Sequence, residues 1–201
     1  MKTVHLGIYP TLADWEYGYV AAGINNPEYQ RDPGAFRIVT VGATRDPVRT
    51  IGGVTMVPDT TLDDVSPDDS VMLVLPGAQV WDTNDAFVDA ARRWVAAEVP
   101  VAGICGATIG LARAGLLDDR RHTSNAAEQL EPTGYAGAAH YVDAPAVTDR
   151  GVVTAAAVAP VEFAREVFRL LGVYEPGVLD AWYQLYGHHD PRGFYALADP
   201  S

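Results

Sequence analysis

The chain has 201 residues, 48% of them apolar and 20% charged, enough to bury a core without disulfides or metals and too apolar for a disordered chain. Its formal net charge of -12 repels phosphate backbones and anionic membrane surfaces, and its 14 Lys and Arg residues form no basic run, which argues against nucleic acid as a partner. No segment reaches the ~18 to 20 apolar residues that cross a bilayer, strand-like residues begin at Val4, and there is a single cysteine; a cytoplasmic protein of one domain, residues 1–201, with no membrane partner is expected.

In chain order, Val4 to Tyr9 reads as a first strand, and Ala13 to Asn25 as a helix with Asp14 and Glu16 in its first turn, where acidic groups suit the helix dipole. Phe36 to Val41 is a second strand, and Val48-Arg49-Thr50 with Val54-Thr55-Met56 form a hairpin around Gly52-Gly53. Val71 to Leu75 is an uninterrupted apolar strand ending at Pro76-Gly77, and such runs imply burial on both faces. Asn84 opens a helix to about Ala97, Val101 to Ile104 is a short buried strand, and Ala107 to Ala114 is a helix. A second hairpin pairs Ala146–Thr148 with Val152–Ala155, Pro160 opens a helix to Leu171, and Pro176 to Tyr186 forms a last helix. Disorder is expected only at the ends, at Asp199 to Ser201, and His188-His189-Asp190 reads as a solvated helix end, not a metal site. Strands and helices alternate as in parallel crossover units, so the class is α/β.

Cys105 lies between the Val101–Ile104 strand and the Ala107 helix, in the pattern G-x-C-G-A, and Gly103, Gly106 and Ala107 are the small neighbours that a sharp strand-to-helix turn requires. This predicts a nucleophile elbow. A thiol at the first turn of a helix faces unpaired N–H groups and the positive end of the dipole, so its pKa is expected to fall below the free-thiol value of about 8.5. A buried structural cysteine is the alternative.

The elbow, Ala13-Asp14-Trp15-Glu16, the Leu75-Pro76-Gly77-Ala78 loop, and Thr154-Ala155 leading to Ala159-Pro160-Val161-Glu162-Phe163-Ala164 together resemble the ThiJ/PfpI family, the cysteine branch of the class I glutamine-amidotransferase-like superfamily, over about residues 4 to 187. The resemblance implies a flavodoxin-like three-layer sandwich with a mainly parallel central sheet, a homodimer, and a site at the carboxyl ends of the strands. It also implies that Glu16 approaches Cys105 and, when protonated, donates a hydrogen bond to the thiolate, its own pKa raised. Asp14 is a competing acid or the helix N-cap. The N–H groups of Gly77 and Gly106 are the expected oxyanion donors, Trp15 and Trp81 the expected pocket walls, and Trp182 and Tyr186 are left for an interface.

Protease-like members place a histidine directly after the cysteine; this chain has Gly106 there, so peptidase activity is not expected. Others place a histidine further on, where this chain reads Arg121-His122-Thr123-Ser124-Asn125, and either Asn125 or His122 fills the third position. An asparagine orients by hydrogen bonds but is no general base. His5 and His140 have no evident partners. The function expected is a cofactor-free, metal-free cysteine enzyme acting on a small electrophilic molecule, of glyoxalase, deglycase, hydrolase or hydratase type, with Cys105 as nucleophile and Glu16 moving the proton. The alternative is a redox sensor whose Cys105 passes to sulfenic and sulfinic acid.

Overall fold

A computed structural model describes residues 1–198, so the expectation for Asp199 to Ser201 lies outside the described residues. The strands are β1 (Lys2–Gly7), β2 (Phe36–Gly42), β3 (Val48–Arg49), β4 (Thr55–Met56), β5 (Thr60–Thr61), β6 (Met72–Leu75), β7 (Val101–Ile104), β8 (Ala146–Asp149) and β9 (Val152–Ala155). The helices are α1 (Asp14–Asn25), α2 (Asp85–Ala96), α3 (Ala107–Arg113), α4 (Pro160–Leu171), α5 (Pro176–Tyr186) and α6 (Arg192–Ala198).

Seven strands form one sheet in the order β5-β2-β1-β6-β7-β9-β8, every neighbouring pair parallel except β8 with β9. β6 and β7 are buried along their whole length, which is why their sequences are continuous apolar runs and not alternating ones. Helices α1, α4 and α5 pack on one face and α2 and α3 on the other, giving the α/β three-layer sandwich. β3 and β4 pair as the expected hairpin, outside the main sheet. Two elements were not foreseen in the sequence: the two-residue edge strand β5 and the helix α6.

The topology positions the site. From β1 the chain moves to β2 on one side and returns through β6 on the other, so the sheet changes direction of growth between β1 and β6. Open α/β sheets bind ligands beyond the strand ends at such a point. Leu75 of β6 pairs in register with Gly103 of β7, and Pro76-Gly77 and Cys105 follow these two adjacent strands. Behind them α3 approaches the Trp81 ring so closely that a Cβ on Gly110 would lie 2.3 Å from it. Only a residue without a side chain allows that approach.

Candidate functional site

Cys105 has φ 59°, a left-handed conformation rare for a residue with a side chain, and its N–H donates to Ala155 O at 2.9 Å. The strained turn presents the half-buried sulfur at the end of β7, the geometry expected of an elbow. Glu16 comes from the first turn of α1 and is fully buried. Its Oε2 accepts the Gly77 N–H at 2.5 Å, and Ala13 N–H in turn donates to Gly77 O at 2.9 Å, tying the start of α1 to the loop after β6. A Cβ on Gly77 would lie 2.7 Å from both Glu16 Oε2 and Cys105 Cβ and 3.0 Å from Sγ, so Gly77 fills the gap between acid and thiol.

The Pro76–Gly77 peptide is aimed from behind. Its carbonyl accepts from the Tyr9 hydroxyl and, at 3.0 Å, from Trp81 Nε1, and in a trans peptide the N–H then points the opposite way, toward Glu16. Two expectations are corrected here. Trp81 does not wall a pocket: it is 2% exposed and packs edge-on against Tyr9 behind the loop. Gly77 N–H is not an oxyanion donor, because Glu16 already takes it. The Gly106 N–H favours the charged form of the Cys105 sulfur, and Ala78 packs against Gly106, where a Cβ would lie 2.9 Å from Ala78 O and 3.5 Å from Ala78 N.

The segment after α3 supplies the third group. Asn125 Oδ1 accepts the Ala157 N–H at 2.8 Å, which fixes the amide orientation and leaves Nδ2 to donate to Cys105 Sγ at 3.3 Å. Buried hydroxyls hold this segment in place: Thr108 Oγ1 bonds to Cys105 O at 2.6 Å and to Ser124 Oγ at 2.7 Å, and Thr123 N–H donates to Thr154 Oγ1. His122 lies elsewhere, fully buried, with Nδ1 on Arg120 O at 2.8 Å and the ring boxed by Tyr135 and Tyr141. Asn125, not His122, therefore meets the sulfur.

Trp15 is exposed, and its Nε1 donates to Ala157 O at 3.4 Å, beside the amide that holds Asn125. Asp14 is neither a second acid at the thiol nor a cap for α1. Its Oδ2 accepts the Gly52 N–H at 2.8 Å and pins the β3–β4 hairpin to the helix, and the Thr50 hydroxyl bond keeps its pKa low. His5 is buried edge-on to Trp94, and His188 lies edge-on to Tyr183. Among the described residues no three His, Cys, Asp or Glu side chains converge as metal ligands.

The electrostatics differ from the sequence expectation at the sulfur. Burial pushes the Cys105 thiol up; Asn125 and the Gly106 N–H pull it down, but the Glu16 carboxylate raises it again. α3 is a helix of 7 residues, too short for its dipole to outweigh burial. Burial also pushes Glu16 up, to about 7, against the pull of its bonds to Gly77 and Cys105, and its Oε1 is buried without a partner among the described residues. Near neutral pH the thiol thus keeps its proton beside a carboxylate that titrates in the same range. The expected fall of the Cys105 pKa is not what the assembled site gives.

Comparison with known proteins places this arrangement. Residues 2–170 match the model of the DJ-1/PfpI family. A Bacillus subtilis (strain 168) protein named uncharacterized protease YoaZ is 36% identical over 201 residues, covering 98% of this chain and 96% of the relative. The crystal structure of a thiJ/pfpI family protein from Bacillus anthracis superposes with a TM-score of 0.91 at 36% identity, covering 99% of this chain and 97% of the other. That of the DJ-1 superfamily protein Atu0886 from Agrobacterium tumefaciens gives 0.83 at 35% identity, covering 94% and 100%. With this sheet, this cysteine elbow and these likenesses over its length, the chain belongs to the DJ-1/PfpI family.

Proposed function

We propose that the chain is a cysteine enzyme acting on a small electrophilic carbon, such as the carbonyl of an α-oxoaldehyde, an amide-like bond or an isonitrile. The observation that carries this reading is the fully buried Glu16, titrating at about 7, set against the only cysteine of the chain. In the addition step to a carbonyl, Cys105 Sγ bonds to the carbon as its proton passes to Glu16. The C=O pair moves onto oxygen, where the N–H of Gly106 meets the charge, and Glu16 then returns the proton to that oxygen. Asn125 Nδ2 orients the sulfur before attack and takes up no proton.

The family includes enzymes, and the Bacillus subtilis relative is named an uncharacterized protease. Peptide hydrolysis is disfavoured here because no histidine is among the groups that bond to or titrate with Cys105, and a leaving amine needs a strong proton donor.

The test is a panel of α-oxoaldehydes, activated amides, isonitriles and peptides. Turnover of one small class by the wild type is expected, lost in Cys105→Ser and kept in His122→Ala, with negligible peptide hydrolysis. Robust peptidase activity, turnover surviving Cys105→Ser, or oxygen addition at Cys105 under mild peroxide with no turnover of any compound would defeat the proposal.

A further inference from the structure

Helices α1, α5 and α6 and the chain after α1 line an open cavity of about 490 Å³, within the range of small-molecule sites. Its lining is unusually aromatic. Trp182 and Tyr174 form the floor, 7% and 8% exposed, and the Tyr174 hydroxyl is anchored on Gly23 O at 3.2 Å. Tyr19 stands edge-on to Trp182 at 6.0 Å and to Tyr186 at 5.5 Å, and Trp182 and Tyr186 lie 5.0 Å apart at a 43° tilt. These rings pack on one another at different angles and form one aromatic wall of the cavity.

Among the described residues the one charged group of the lining is Glu28, and no Lys, Arg or His of these residues lines the cavity. Its carboxylate is held in place: Asn26 Oδ1 accepts the Glu28 N–H at 3.2 Å, which turns the Asn26 amide so that Nδ2 faces Glu28 Oε2 at 3.4 Å. The nearby Arg31 is bonded to Glu175 at 3.0 Å and does not neutralise it. Tyr29, beside Glu28, has φ 65°, a strained conformation for an aromatic residue, and lines the same rim.

We propose that this cavity binds a small organic cation, an alkylated ammonium group seated against the aromatic wall of Tyr19, Trp182 and Tyr186 and countered by the Glu28 carboxylate. Aromatic rings carry negative electrostatic potential on their faces, and an alkylammonium sheds its water far more cheaply than a bare charge does, so an aromatic wall with one carboxylate favours it over neutral or anionic ligands. The site is separate from the Cys105 chemistry and does not rest on the reading given to it.

The probe is choline, with its uncharged isostere 3,3-dimethyl-1-butanol as control. Indole fluorescence reports the event because Trp182 and Trp15 line the cavity, and calorimetry gives the stoichiometry. Choline is expected to bind saturably at one site per chain, and the isostere at least about tenfold more weakly. Glu28→Gln, at an exposed residue, is expected to weaken choline about tenfold with unchanged thermal unfolding, and Tyr186→Ala to weaken it about tenfold as well. Equal binding of choline and isostere, choline affinity unchanged in both variants, or no saturable choline signal would overturn the proposal.

Discussion

Replacing Glu16 by glutamine is expected to stabilise the protein at pH 8 while removing its chemistry. The folded carboxyl titrates at about 7 against an ordinary value of 4.5, so between those pH values the folded state binds more protons than the unfolded state. Stability therefore falls as pH rises through that window: the contribution of this group is fully present below 4.5 and is lost once pH passes 7. The loss is about 3 kcal/mol, undiminished by solvent because the side chain is fully buried. Glutamine has the shape of the protonated acid, keeps an oxygen for the Gly77 N–H, and never takes on the charge. Urea unfolding at pH 5 and pH 8 is expected to show the variant and wild type converging at the lower pH and separating at the higher. Turnover at pH 8 is expected to fall by roughly 10² to 10⁴, the usual worth of a positioned proton carrier. Parallel pH dependences for the two proteins would show that Glu16 is not the buried acid argued here.

The second large effect is expected from Gly77→Ala, a change of one methyl group. That methyl would enter a gap where Glu16 Oε2 and Cys105 Cβ are both 2.7 Å away, too close for any real contact. The loop cannot retreat easily, since the Pro76 carbonyl is bound by Tyr9 and Trp81 on its other side. Displacement must fall on the acid and the thiol. A stability loss of about 1 to 3 kcal/mol is expected from overpacking, together with a drop in turnover of about 10²-fold, the scale for a misplacement near 1 Å. Denaturant midpoints and initial rates measure the two separately. An alanine variant with wild-type rates would mean that acid and thiol do not have to be held at this spacing.

The parts of this structure that were legible in the sequence are those set by local pattern. β6 and β7 are short apolar runs ending at Pro76 and Cys105, and burial on both faces leaves such strands no polar residue to obscure them. The elbow was legible for the same reason, because its tightness dictates the small residues around Cys105. β5 was not, since two threonines carry no periodicity, and the sheet alone defines them as a strand. α6 carried a usable signal in Asp190-Pro191, where Asp190 accepts the Arg192 N–H at 2.9 Å, but Gly193 and the short length give it no helical period of its own. Within the site, partners contributed by distant segments were invisible. Nothing local marks Tyr9 as the hydroxyl that orients Gly77, or Ala157 as the group that orients Asn125. The sign of the Cys105 shift was missed because the helix terminus is apparent in the sequence, whereas the depth of burial and the facing carboxylate belong to the assembled fold.

The left-handed backbone at Cys105 bears on how this position is retained over time. At φ 59° a residue with a Cβ carries a local penalty of about 1 kcal/mol that glycine does not. Glycine gives back a similar amount through its greater freedom in the unfolded chain, so the backbone alone gives no net drive to replace Cys105 by glycine. Serine or alanine at this turn bears the same backbone penalty, so selection on backbone strain is indifferent to the sulfur. A lineage that holds a cysteine at this turn does so under pressure on its reactivity, and a stability screen of random variants would pass chemically dead chains without distinguishing them from live ones.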